Sequence, residues 1–166
     1  MNDLIQFSFS KDLMLQQTIN DLVATNEKSQ EYGLVLTQKD AIELIETRNF
    51  SLKSLDRIEV GSGVIEKIVT AFCDSTFILQ SNYTEILHEL IDTFYYMKNE
   101  TLDLIGDDEL IEIMKDIFEN RCRGSLELLQ GRELETLARN IRFGIKDYKV
   151  IDEKDDKDPE EEEDAQ

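Results

Sequence analysis

The chain has 166 residues, 40% of them hydrophobic and 33% charged, and its formal net charge is −19. This length corresponds to one domain, which can bury a core without the help of disulfides or metal. Because such a charge repels phosphate backbones and anionic lipids, we expect no nucleic-acid partner and no membrane association. The sequence has no run of 18 apolar residues and no basic, apolar leader, so it predicts a cytoplasmic protein.

The first 26 residues predict a short strand followed by a helix. Residues 4–9 partly alternate between apolar and polar side chains, which is typical of a strand. Ser10 is a suitable N-cap for a helix that extends to about Asn26. The inner face of this helix would carry Leu15, Ile19, Leu22 and Val23.

A second helix, over residues 38–52, is predicted from Thr37 as its N-cap and an acidic residue three positions later. Two short segments flank it, at residues 34–36 and 57–60. Both are rich in apolar residues, and the second alternates as a half-buried strand does. They can form a small two-stranded β ribbon, which would depend on helix packing for its stability.

Residues 82–99 show the clearest helical periodicity in the chain. Apolar side chains recur there at spacings of three and four, so they share one face of a helix. The apolar positions are Tyr83, Ile86, Leu87, Leu90, Ile91, Phe94, Tyr95 and Met97. Asn82 and Glu85 have the spacing of a capping box. We expect this helix to be the central helix of the domain.

Three further helices are predicted. They cover residues 64–73, a segment that begins at Asp107, and residues 125–146 with a bend at Gly131. The predicted fold is therefore mainly α, with about six helices in one bundle-like domain.

This domain would occupy residues 1–149, and residues 150–166 would form a tail. The tail holds ten acidic residues and two lysines, a net charge of −8. Because it has no apolar periodicity, burial cannot offset the entropy of ordering it, and we expect it to be disordered.

Glu85, His88 and Asp92 lie on the polar face of the central helix and are the first candidates for a site. A Glu and a His three residues apart occur in dinuclear carboxylate sites, and His-Glu pairs occur in zinc sites. This chain has only one histidine, so neither site can be completed. The alternative interpretation is a solvated helix face with a His88–Asp92 pair. We therefore predict no metal and no cofactor.

Arg139, Arg142 and Lys146 share one helical face and are the second group of candidates. Arginine suits carboxylates and phosphates, so this face can bind an anion, an acidic partner or the acidic tail of the same chain. The surrounding region, residues 121–149, has a net charge of +3. The alternative is ordinary ion pairing with acidic residues elsewhere in the domain.

Two weaker patterns remain. Gly61-Ser62-Gly63 precedes a predicted helix and can present backbone N–H groups to an anion, although Ser62 as a simple N-cap also accounts for it. Of the two cysteines, Cys122 lies between two arginines, which favour the thiolate, so it is the more reactive candidate. Neither cysteine has a neighbouring base, and both also suit purely structural positions.

Several short sequences are similar to those of a known family. They are AFCDS at 71–75, FYYMKNE at 94–100, DDELIE at 107–112 and GSLELL at 124–129. The chain resembles, over residues 30–146, an uncharacterised family of small proteins from Firmicutes bacteria that is classed as a domain of unknown function. The resemblance implies a bacterial cytoplasmic setting and assigns no functional residue.

The sequence as a whole favours a non-enzymatic interaction or accessory protein that binds another protein and can form homo-oligomers. This interpretation follows from the lack of a complete catalytic group, a cofactor motif or a second histidine. The alternative is an enzyme or a protein that binds a small molecule or an anion. It would use Glu85, His88 and Asp92, or the face formed by Arg139, Arg142 and Lys146.

Overall fold

The computed structural model describes residues 2–59 and 61–145 of the chain. Within them, six helices have nine or more residues, as predicted. They are α1 (Asn2–Ala24), α2 (Gln38–Ser54), α3 (Gly63–Phe72), α4 (Tyr83–Glu100), α5 (Asp107–Asp116) and α6 (Leu134–Arg142). The predicted disordered tail at 150–166 lies outside the described residues.

Shorter helical segments connect the main helices. An α-helical turn at Asn26–Ser29 continues into a 3₁₀ turn at Gln30–Tyr32. Two π-helical segments follow α5 and precede α6, at Ile117–Arg121 and Leu129–Glu133. The second contains Gly131, whose ψ of −120° is not helical, so the predicted bend is confirmed.

Helix α4 is the central helix of the domain, and its predicted apolar face is buried along its whole length. All eight apolar residues of the pattern belong to the core. The helix packs against α2, α3 and α6. Asn82 is its N-cap position, but the predicted capping box is not formed, because the Asn82 side chain accepts from the backbone N–H of Leu79 at 2.7 Å.

Helix α2 begins as predicted. The Thr37 hydroxyl accepts from the backbone N–H of Asp40 at 3.1 Å, and the Asp40 carboxylate accepts from the backbone N–H of Thr37 at 2.8 Å. This capping box satisfies two N–H groups that the helix itself leaves without partners.

The predicted two-stranded β ribbon does not form in the described part of the chain, because residues 34–36 and 57–59 contain no strand. Side-chain amides occupy the backbone groups that a strand would need. Gln80 bonds both the N–H and the C=O of Val35, and Asn26 does the same for Leu36, at 2.7–3.1 Å. Ile58 is 92% exposed, so the second segment is not half-buried either.

The N-terminus also differs from the prediction, because residues 4–9 belong to α1 and not to a strand. A helix satisfies its backbone groups within one segment, whereas a strand at this position would need a partner. Residues 10–17 of α1 are exposed, and the helix contributes Thr18, Ile19 and Leu22 to the buried interior. The predicted inner residue Leu15 is 45% exposed.

Gly124 lies just beyond the π-helical segment that follows α5. Its φ is +82°, which favours glycine. A Cβ atom at this position would lie 2.5 Å from the Cβ of Phe77. Phe77 in turn packs edge-on against Phe118, so this close approach connects the chain segment before α4 to the end of the α5 region.

Candidate functional site

The polar face of α4 lies partly against α2, although its three acidic residues, Glu85, Glu89 and Asp92, are exposed. Nδ1 of His88 and Oγ1 of Thr47 share a hydrogen bond of 2.6 Å, and the Ser51 hydroxyl donates to Asp92 Oδ1 at 2.8 Å. Thr47 and Ser51 are one turn apart on α2, just as His88 and Asp92 are on α4, so the two helices present matching polar rows. Glu85 is exposed and takes no part in this contact.

Beside this contact lies a cleft of about 300 Å³, which we call the α2–α4 cleft. It is bounded by α2, α4, the π-helical segment Leu129–Glu133 and the start of α6. Its lining residues are Ser51, Ser54, Leu55, Glu89, Asp92, Thr93, Tyr96, Gln130 and Leu134. Among the three acid–base candidates of the sequence, only Asp92 lines it.

Gln130 connects the π-helical segment Leu129–Glu133, which forms one wall of the cleft, to α4. Its Nε2 donates to Glu89 Oε2 at 2.8 Å and to Thr93 Oγ1 at 3.0 Å. Gln130 lies in a π-helical segment next to the kink at Gly131. Such single-turn π segments are frequent at functional sites.

The two carboxylates of the cleft differ in their ion pairing from Glu100 and Glu133. Glu89 and Asp92 are three residues apart on α4, and in the described part of the chain neither forms an ion pair with a lysine or arginine. Glu100 and Glu133, in contrast, are paired with Arg142 and Arg121. The cleft therefore presents negative charge that these protein side chains do not neutralise.

The basic candidates do not form one free surface. Arg142 Nη1 lies 3.2 Å from Glu100 Oε2, so it joins α6 to α4. Arg139 is exposed, and Lys146 lies outside the described residues. Arg121 pairs with Glu133 at 2.8 Å. Ordinary ion pairing, the second interpretation of the sequence, thus accounts for Arg121 and Arg142.

The Gly-Ser-Gly pattern is occupied by the protein's own groups. The guanidinium of Arg48 donates to the carbonyl of Gly61, and the Ser62 hydroxyl donates to Glu66 Oε2 at 3.1 Å. The Ser62 side chain therefore does not cap α3. The Ser62 hydroxyl is therefore already bound to a carboxylate.

Both cysteines are buried. Burial raises the pKa of the Cys73 thiol and of the Cys122 thiol, although Arg121 acts in the opposite direction on Cys122. The prediction that Cys122 is reactive is therefore not supported, because desolvation outweighs the neighbouring charge. Within the described residues, no group of three or more His, Cys, Asp or Glu side chains has a geometry that can hold a metal ion.

A second candidate surface is the exposed segment of α1, residues 10–17. All eight side chains are exposed, including the apolar Leu13, Met14 and Leu15 at 56%, 52% and 45%. The segment has one lysine and one aspartate, so its net charge is zero in a protein of −19. Among the described residues, no helix has both the length and the apolar composition to cross a membrane.

The fold and these two surfaces define a small helical domain with an acidic cleft. The model of a family of unknown function (DUF6323) matches residues 21–147, and the chain belongs to this family. The predicted membership in a family of unknown function is thereby confirmed. No curated protein and no solved structure matches the chain. The cleft lies inside the matched residues, whereas the exposed segment of α1 precedes them.

Sequence reasoning missed most of the cleft. Ser51, Tyr96 and Gln130 were not among its candidates, because they come from three elements that are far apart in the chain. One pattern was available to find part of it. Thr47 and Ser51 form a polar row at i, i+4 on α2, and His88 and Asp92 form another on α4. Two such rows on adjacent helices favour a polar helix–helix contact.

Proposed function

We propose that this chain is a non-enzymatic interaction protein of the bacterial cytoplasm, which binds another protein through the exposed segment of α1. The observation that carries the proposal is the exposure of Leu13, Met14 and Leu15 in a stretch of α1, residues 10–17, whose eight side chains are all exposed. Three consecutive apolar side chains on a helix do not form one flat patch, but they offer exposed apolar surface to a partner that surrounds the helix.

The geometry of a helix explains why the domain itself leaves these side chains exposed. Successive residues are rotated by 100°, so Leu13, Met14 and Leu15 point in three directions and no single neighbour covers them. A partner that wraps around the helix would gain roughly 1 kcal/mol for each half-exposed side chain that it buries.

The charge distribution also favours this segment over the acidic parts of the surface. The net charge of residues 10–17 is zero, so two copies of the chain can meet here while their acidic bodies stay apart. A second copy is therefore a suitable partner, and a homo-oligomer fits the proposal. Nucleic acid does not fit it, because the overall charge of −19 opposes phosphate.

The experiment compares two double variants of equal charge. Leu13→Glu/Met14→Glu changes apolar positions, and Ser10→Glu/Gln16→Glu changes exposed polar positions of the same segment. Size-exclusion chromatography with light scattering measures self-association, and affinity capture from a lysate of the source cells measures binding to another protein. We expect the wild type and the Ser10→Glu/Gln16→Glu variant to form the same complex, and the Leu13→Glu/Met14→Glu variant to lose it.

Two outcomes contradict the proposal. One is a wild-type chain that is monomeric and retains no protein. The other is a complex that both double variants form equally well, because the contact would then not depend on the apolar side chains. Circular dichroism checks that all three proteins are folded. Exposed positions such as these change the free energy of unfolding by only about 0.5 kcal/mol.

The alternative function, binding of a small molecule, is supported by the α2–α4 cleft. Of the residues that the sequence offered for it, Asp92 alone lines this cleft, and Glu85 and His88 do not. An anion is an unsuitable ligand here, because Glu89 and Asp92 would repel it.

A further inference from the structure

We propose that the α2–α4 cleft binds a small organic cation, a primary alkylammonium on a short aliphatic chain. The proposal does not depend on the interaction through α1, because the two surfaces share no residue. It rests on the lining of the cleft, which combines two carboxylates without ion-pair partners, several hydroxyl groups, an aromatic ring and apolar walls.

Each cleft carboxylate uses one of its two oxygen atoms as a hydrogen-bond acceptor within the protein. Glu89 uses Oε2 to accept from Gln130, and Asp92 uses Oδ1 to accept from Ser51. In the described structure, the second oxygen of each carboxylate has no such bond and can accept from a ligand. Their donors, Gln130 and Ser51, also fix the orientation of both side chains, which lowers the entropy that a ligand must overcome.

An ammonium group suits this donor set better than a metal ion. Ca²⁺ takes six to eight oxygen ligands, and Mg²⁺ needs a nearly ideal octahedron. Two carboxylates from one helix supply too few ligands for Ca²⁺, and Mg²⁺ at so few carboxylates is usually held together with substrate phosphates, which the negative charge of this cleft would repel. An ammonium has three N–H donors, which two carboxylates and one hydroxyl can satisfy. The Ser54 hydroxyl donates to the Ser51 carbonyl at 2.8 Å and keeps its lone pairs for such a bond.

The apolar walls account for the aliphatic part of the ligand. Leu55 and Leu134 line the cleft, and Tyr96, which is 50% exposed, forms part of its edge. An aromatic ring attracts a cation that lies over its face. A volume of about 300 Å³ is at the lower end for ligand pockets, so the ligand is small.

The overall charge of the protein makes a localised measurement necessary. A net charge of −19 attracts any cation, and the acidic residues beyond residue 150 do so as well. We therefore choose 1,4-diaminobutane as the probe and two-dimensional ¹H–¹⁵N NMR of the full chain as the measurement, at about 0.15 M salt, where exposed charges are screened beyond about 8 Å. The side-chain NH₂ of Gln130 reports from inside the cleft.

Two double variants of equal charge separate the cleft from the general surface. Glu89→Gln/Asp92→Asn removes both carboxylates of the cleft. Glu85→Gln/Glu127→Gln removes two exposed carboxylates that do not line it. Tyr96→Leu, at a half-exposed position, tests the ring without changing the charge.

We expect saturable shifts of the Gln130 side-chain and Thr93 backbone signals in the wild type. The affinity should fall at least tenfold in Glu89→Gln/Asp92→Asn, a few-fold in Tyr96→Leu, and not at all in Glu85→Gln/Glu127→Gln. The neutral analogue 1,4-butanediol should give no saturable shift.

The proposal is overturned if the wild type shows no saturable shift, or if both charge variants lose affinity equally, which would mean non-specific counterion binding. It is also overturned if Ca²⁺ or Mg²⁺ shifts the same signals and displaces the diamine, or if 1,4-butanediol binds as well. If Glu89→Gln/Asp92→Asn is not folded by circular dichroism, Tyr96→Leu decides the outcome, and unchanged affinity in it contradicts the proposal.

Discussion

The two faces of α4 belong to the same eighteen residues, yet hydrophobic burial positions one face and hydrogen bonds position the other. The apolar face is buried at every position that its periodicity indicates. The polar face lies against α2 at His88 and Asp92 and borders the cleft at Glu89 and Asp92. Hydrophobic burial needs no specific partner, so periodicity predicts it. A hydrogen bond needs one particular partner, and here that partner is 41 residues away.

The largest expected effect is on the apolar face. Leu90 is fully buried, so Leu90→Asp places a charge in the core and should lower the free energy of unfolding by about 4 kcal/mol or more. Urea denaturation measures this. The control is Glu85→Ala at an exposed position of the same helix, for which about 0.5 kcal/mol or less is expected. An unchanged midpoint for Leu90→Asp would mean that the architecture is wrong.

Tyr83, also on the apolar face, makes the free energy of unfolding fall as the pH rises through the alkaline range. Burial raises the pKa of its hydroxyl to about 12, and the neighbouring Ser29 hydroxyl offsets part of this effect. The unfolded chain has the ordinary pKa near 10 and loses its proton first. The contribution to stability is therefore complete below about pH 10 and is lost as the pH rises toward 12, by roughly 2 kcal/mol.

Denaturant unfolding at several pH values between about 9 and 12 measures this loss. Tyr83→Phe should flatten the dependence of the free energy of unfolding on pH. Burial also raises the pKa of Tyr95, which donates to Glu59 at 2.5 Å, so part of the decline remains in Tyr83→Phe. An identical slope in the wild type and Tyr83→Phe contradicts this assignment.

The smallest of these effects concerns the polar face. Ser51→Ala removes the donor to Asp92 Oδ1, and a hydrogen bond to a charged group contributes about 1.5 kcal/mol or slightly more. A double-mutant cycle with Asp92→Ala isolates the coupling between the two side chains. Ser54→Ala, whose hydroxyl does not bond Asp92, is the control. If the coupling is zero, the Ser51–Asp92 contact does not help to hold α2 and α4 together.

Two errors of the sequence-based predictions share one cause with the missed cleft. Residues 34–36 have the apolar character of a strand, but the side chains of Asn26 and Gln80 satisfy their backbone groups. Cys122 has two arginines beside it in the chain, but its surroundings in space bury it and raise the pKa of its thiol. In both cases a neighbour in space outweighs the neighbours in sequence.

The predictions that were confirmed depend on local or non-directional effects. The helical fold class follows from apolar periodicity, the start of α2 follows from the Thr37–Asp40 capping box, and the bend at Gly131 follows from the low helix propensity of glycine. Each of these can be evaluated within a single segment of about twenty residues.

The sequence by itself therefore determined which helices form, which residues of α4 enter the core, and that the chain is strongly acidic. Only the tertiary structure decided that Glu89, Asp92, Tyr96 and Gln130 line one cleft and that residues 10–17 of α1 stay exposed. The physical reason is that burial depends on the summed apolar surface of a segment, whereas a site depends on the positions of a few polar atoms from segments that meet only in the folded chain.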